Sequence, residues 1–111
     1  MSKRGDIEFL GDIKEAIRRI EEYTGEIDYD KFLKDKKTQD AVVRNLQIIG
    51  EAVKNITFDF KKKHTDIEWK KIAGLRDKIT HYYFGVNWDI VWNAAKNKLP
   101  ELFVKVKNIL K

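Results

Sequence analysis

The sequence predicts an all-α domain, an up-and-down helical bundle of about four main helices. Three observations carry this. Only six glycines and one proline interrupt 111 residues. Apolar residues recur at three- and four-residue steps over most of the chain, the period of an amphipathic helix. The stretches that break this rhythm are short, and short connections favour neighbouring antiparallel helices.

The first stripe is Leu10, Ile13, Ile17 and Ile20, after a candidate cap at Asp6. Thr24-Gly25 ends it, and Gly25 suits the left-handed position that follows many helices. Asp28 or Asp30 restarts a short segment through Tyr29, Phe32 and Leu33, broken at Asp35-Lys36-Lys37. Thr38 then caps a long helix reaching about Lys62, with Val42, Leu46, Ile49, Val53, Ile56 and Phe60 on its core face. Gly50 lies mid-helix, where it costs about 1 kcal/mol against Ala and suggests close approach of another helix. Thr65 and Glu68 read as a capping box. The helix they open has Trp69, Ile72, Leu75, Ile79 and Tyr82 on its apolar side. Gly85 and Asn87 mark a turn, and Asn87 can cap the last helical region. Trp88 and Trp92 are four apart there, a pair suited to a core or an oligomer interface more than to base stacking. Pro100 either kinks this region or restarts it, and Leu102, Phe103, Val106, Ile109 and Leu110 close the core.

The totals exclude several classes of function. A chain of this length, 42% hydrophobic, is expected to form one domain over residues 1–111. No apolar run approaches a membrane span and no signal-peptide core follows Met1, so a cytoplasmic protein is expected. The absence of cysteine removes disulfides, thiolate metal sites and cysteine nucleophiles. Two histidines, His64 and His81, are too few for a His-based metal centre within one chain. Neither a metal nor a cofactor is expected. The net charge of +5 favours polyanion partners through the field around the protein, although a solvated helical surface accounts for the same charges. Lys61-Lys62-Lys63 complement the dipole at a helix C-terminus.

Chemistry concentrates in Arg76-Asp77-Lys78-Ile79-Thr80-His81-Tyr82-Tyr83-Phe84-Gly85. A cation that stays protonated, an imidazole titrating near neutrality and a phenol suit the handling of phosphate. Arg76, His81 and Tyr83 match the R-x4-H-x-Y motif of the HEPN superfamily. The chain resembles its HepT-like branch, the toxin half of toxin–antitoxin pairs. Asp40 to Leu46, Ile48 to Ala52, Ala73 to Arg76, Tyr83 to Val86 and Leu99 to Leu102 also look like that branch. The resemblance runs from about Asp6 to the C-terminus. It implies a helical bundle that dimerises with its motifs at the interface, and an endoribonuclease using Arg76 and His81. It also implies an MntA-like nucleotidyltransferase antitoxin that attaches AMP to Tyr83. A tyrosine, Tyr82, stands where most of the branch has a small residue. On the helix count Tyr82 packs inward; if the helix ends earlier, either tyrosine could be the modified one.

The residues support this chemistry on their own terms. On a continuous helix Asp77 and His81 are one turn apart, and Arg76 and Tyr83 two turns. Arg76 and His81 are then about 140° apart, so one chain does not pair them unless the helix ends or bends near Thr80. Two copies across a two-fold axis would bring two arginines and two histidines into one groove, a physical reason to expect a homodimer. There His81 could act as base on a ribose 2′-OH, or as acid to the departing oxygen, and Arg76 could hold the phosphate. Asp77 could fix the tautomer of His81. Arg44 and Glu51, seven apart with Asn45 beside them, form either a surface salt-bridge ladder or a layer of polar groups behind the motif. The alternative function is a non-catalytic HEPN module that binds a nucleotide or the partner nucleotidyltransferase. A third is a structural bundle with a nonspecific basic surface. In that plainer setting Arg76 pairs with an acidic neighbour, His81 sits at a helix end and Tyr83 is a partly buried aromatic.

Overall fold

Burial of the first apolar stripe fixes α1, Asp6–Thr24, with Leu10, Ile13, Ile17 and Ile20 almost fully buried. The computed structural model describes residues 4–80 and 85–111; the side chains of Arg76 and Thr80 also lie outside the described residues. Gly5, in extended backbone, precedes the helix, so Asp6 is its first residue rather than its cap. The helix stops at Thr24 as expected, but Gly25 stays right-handed (φ −63°, ψ −32°). The Lys96 ammonium does the capping instead, donating to the Thr24 carbonyl at 2.6 Å. A cation at that end also suits the helix dipole.

Asp28 caps α2, Tyr29–Lys34, by accepting from the Lys31 amide at 2.8 Å. Its purpose is packing. Phe32 is completely buried, with its ring 5.7 Å from Trp88 edge-on and 5.0 Å from Trp92. The tryptophan pair therefore joins the core. The Tyr29 hydroxyl donates to the Asp89 carboxylate, which ties α2 to α6 (Trp88–Asn93).

Two boundaries differ from expectation around α3, Lys36–Asn55. Asp35 caps it, accepting from the Thr38 amide at 3.1 Å and the Thr38 hydroxyl at 2.7 Å, so Thr38 serves the cap as a donor. The helix also stops well before Lys62. Ile56 turns to extended backbone (φ −73°, ψ 136°), and Thr57 caps a separate α4, Phe58–Lys63. The break is held from outside: the Asp6 carboxylate accepts both the amide and the hydroxyl of Thr57. The expected core positions Val42, Leu46, Ile49, Val53 and Ile56 are buried, as is Gly50.

The capping box is not formed as expected. Thr65 and Asp66 lie in a turn, and α5 runs from Trp69 to Thr80. Glu68 directly precedes it, its carbonyl accepting from the Ile72 amide at 3.1 Å. The Trp69 indole donates to the His64 carbonyl at 3.0 Å and fixes how the chain enters the helix. Trp69 and Ile79 are buried, while Ile72 and Leu75 are partly buried. Tyr82 lies outside the described residues.

Gly85 has φ +117°, a region that glycine occupies without Cβ strain. Asn87 caps α6 as expected, accepting from the Ile90 amide at 3.3 Å. A π-helical turn, Ala94–Lys98, then leads into α7, Leu99–Ile109, with Pro100 in its first turn. Pro100 has no N–H for the carbonyl four residues back, and its ring crowds that carbonyl. The backbone widens, and the Leu99 amide bonds the Ala94 carbonyl five residues back.

Among the described residues four helices exceed ten residues: α1, α3, α5 and α7. The helix α3 packs against both α1 and α5, and α7 packs against α1. The fold is an all-α bundle, as the sequence predicts. No described helix is long and apolar enough to cross a membrane.

Candidate functional site

The arginine of the motif, Arg76, lies within α5, which is helical through Thr80. Its side chain lies outside the described residues, as do His81, Tyr82 and Tyr83. The backbone of α5 therefore carries the geometry. Asp77 is partly buried on this helix, three residues after Gly74, so the two share a face. Arg76, about 160° round from Lys78 by helical register, falls on a different side.

Because α3 packs against α5, the helix that bears Arg44, Asn45 and Glu51 adjoins the helix that bears Arg76 and Asp77. Arg44 and Glu51 are both exposed, and no ion pair joins the two among the described residues.

Asn45 was named in the sequence only as their neighbour, yet it is the unusual group. It is 4% exposed, and its amide nitrogen donates to the Ala41 carbonyl at 2.8 Å. Its side-chain oxygen is buried with no hydrogen-bond partner. The available signal was its register: Asn45 falls three after Val42 and four before Ile49, on the apolar stripe itself.

The remaining candidates have structural roles. Lys62 lies 5.7 Å over the Phe58 ring on α4. The His64 ring is 4.5 Å from the Phe60 ring. Among the described residues no group of three or more His, Asp or Glu side chains is placed to hold a metal ion.

The chain matches the ribonuclease HepT-like family over residues 13–109. A Methanocaldococcus jannaschii protein with an RNase name is 46% identical over 111 residues, covering 100% of this chain and 92% of that one. A Thermococcus cleftensis protein named as a ribonuclease HepT is 50% identical over 109 residues, 98% of this chain and 99% of that one. A Caldanaerobacter subterraneus protein, also with an RNase name, is 50% identical over 84 residues, 76% of this chain and 75% of that one. No solved structure matches. The match spans the motif and nearly every helix that positions it, and the chain belongs to the HepT-like ribonuclease family.

Proposed function

We propose that this chain is a metal-independent endoribonuclease, active as a homodimer, and the toxin partner of a nucleotidyltransferase antitoxin. The observation that carries the reading is the Arg76-x4-His81-x-Tyr83 spacing in the sequence, with Arg76 on α5, in a chain of the HepT-like ribonuclease family. The helical backbone at Arg76 supports the placement of a fixed cation there.

His81 acts as general base on the ribose 2′-OH or as general acid to the 5′-oxygen. Arg76 holds the scissile phosphate and stabilises the charge that develops on its oxygens. Asp77, four residues before His81, orients the imidazole as a hydrogen-bond acceptor. Arg44 and Glu51 act as positioning residues on the adjoining helix; the packing of α3 against α5 supports this. Attack by the 2′-OH gives a 2′,3′-cyclic phosphate and leaves DNA uncut. The separation of about 140° that a continuous helix would give Arg76 and His81 supports the homodimer, in which a second copy bridges it. The partner silences the enzyme by attaching AMP to Tyr83, with Tyr82 the other candidate. A phosphate-linked group beside Arg76 and His81 blocks RNA and occupies the arginines.

Expression of the chain alone tests the toxin role. Growth should stop, and His81→Ala should restore it. Growth that is unaffected by the wild-type chain would remove the toxin reading. Mass spectrometry after incubation with the partner and ATP tests the silencing step. AMP should map to Tyr83 or Tyr82, and AMP found only elsewhere would remove it.

A further inference from the structure

We propose that the groove between α5 and the π turn leading into α7 binds the single RNA strand on which the enzyme acts, through Lys70, Lys78 and Lys98. This deepens the ribonuclease reading and rests on it.

The groove has a volume of about 660 Å³. Ile72 and Leu75 line it from α5, and Ile90, Leu99 and Leu102 from the facing segments. Five lysines and two glutamates surround this apolar lining. Two of the lysines are neutralised within the rim: Lys71 lies 2.6 Å from Glu68, and Lys105 lies 3.6 Å from Glu101. Lys105 also donates to the Asp66 carbonyl at 2.7 Å. Lys70, Lys78 and Lys98 are exposed and make no ion pair among the described residues. The rim therefore carries a net charge of +3, with Lys98 also within coulombic reach of Glu68.

Lys70, Lys78 and Lys98 stand on both walls. Lys70 and Lys78 are separated by about 12 Å along α5 at 1.5 Å per residue. Lys98 comes from the opposite wall by way of the π turn. Asn93 and Lys98 both line the groove although they are five residues apart. On a regular α-helix that spacing is about 140° out of line. The five-residue hydrogen bond from Leu99 to Ala94 brings such positions back to one side, so the widening at Pro100 delivers Lys98 to the rim.

Cations on two walls of an apolar trough suit a single strand, with phosphates on the rim and base faces against the floor. A second copy docked symmetrically here would set like charges against each other, which is unfavourable. The α5 wall extends to Lys78, whose side of the helix lies about 160° round from the Arg76 position, so the groove occupies a face of α5 distinct from that of Arg76. Gly74 also lines the groove, and a Cβ built on it meets nothing within 4 Å. A larger side chain there fills the groove without disturbing α5.

The test is the binding of a labelled single-stranded RNA to the full chain in EDTA, followed by fluorescence anisotropy against salt, with cleavage measured on the same proteins. Removing Lys70, Lys78 and Lys98 together (each to Ala) should weaken binding about 100-fold at 0.1 M salt and flatten the salt slope by about 2, at about 0.7 per phosphate contact. A control lacking Lys34, Lys36 and Lys37 should bind as wild type. Gly74→Leu should lose affinity while keeping its helical circular dichroism. Wild-type binding by the groove triple variant overturns the proposal, as does an equal loss in the control. A changed oligomeric mass with unchanged RNA affinity also overturns it, in favour of a second copy. If wild type cleaves and the groove variant binds normally, the groove fails and the ribonuclease reading stands. If wild type does not cleave but the groove variant alone loses RNA, the ribonuclease reading fails and the groove stands.

Discussion

The Asp6 carboxylate accepts from the backbone amide of Thr57 at 2.8 Å and from its hydroxyl at 2.7 Å, across 51 residues of sequence. The Thr57 hydroxyl in turn accepts from the Phe60 amide at 3.2 Å. One carboxylate thus fixes where α3 ends and α4 begins. Asp6→Ala should cost about 1–2 kcal/mol, for two hydrogen bonds and a weakened cap. Asp6→Asn, which keeps an acceptor, should lose less. Urea unfolding measures both, and an Asp6→Ala midpoint equal to wild type would contradict the role.

Acid should weaken the start of α3. The Thr38 hydroxyl, and then its amide, hold the Asp35 carboxyl below its ordinary range. On α1, Arg18 foremost and then Arg19 hold Glu15 down at about 2. Both folded values lie below unfolded values of about 3.9 and 4.3. Their stabilisation is therefore complete above those values and disappears as pH falls through the folded ones. Asp35→Ala should be less stable than wild type near neutrality, and the difference should shrink as pH falls below about 4. Denaturant midpoints across that range test it; a difference that grows in acid would have the wrong sign.

The buried oxygen of Asn45 is a local cost in the folded bundle. Leucine has nearly the same shape and leaves no acceptor unpaired. Asn45→Leu should be neutral or stabilising by about 1 kcal/mol. A loss of about 2 kcal/mol or more in urea unfolding would mean that the amide holds the bundle together.

Gly74 sits mid-helix with open space where a Cβ would go. Gly74→Ala should therefore stabilise the chain by about 0.5–1 kcal/mol, the helix-propensity difference. Thermal unfolding reads the effect. A lower midpoint would show that the backbone at Gly74 is closely approached in the working assembly.

Helix faces were legible because burial follows period. Val42, Leu46, Ile49 and Val53 were assigned from spacing alone and are buried. The cap at Asn87 was legible, and that at Asp28 was one of two candidates with Asp30, because each acts within three residues. Where a partner lies far along the chain, local reading failed. The break at Thr57 depends on Asp6, and the end of α1 depends on Lys96 rather than on the conformation of Gly25. The cap of α3 shows a different failure. Asp35 and Thr38 both suit a cap, and which one accepts is decided by where the helix starts.

The site was legible in a similar, partial way. Arg76 and Asp77 were placed on a helix by the apolar rhythm around them, and both lie on α5. The unpaired oxygen of Asn45 was not legible, because only packing removes its partners. The lysine groove was not legible either. It joins residues of α5 to a segment twenty residues later, and its far wall depends on a π turn that no period announces.

Cleavage of RNA by purified wild type and by His81→Ala, in EDTA with end-group analysis of the products, tests the central claim most directly. The account predicts cuts by wild type alone, leaving 2′,3′-cyclic phosphate ends, once its intact mass shows that Tyr82 and Tyr83 carry no AMP. Equal cleavage by both proteins, or no cleavage by an unmodified wild type, would contradict it.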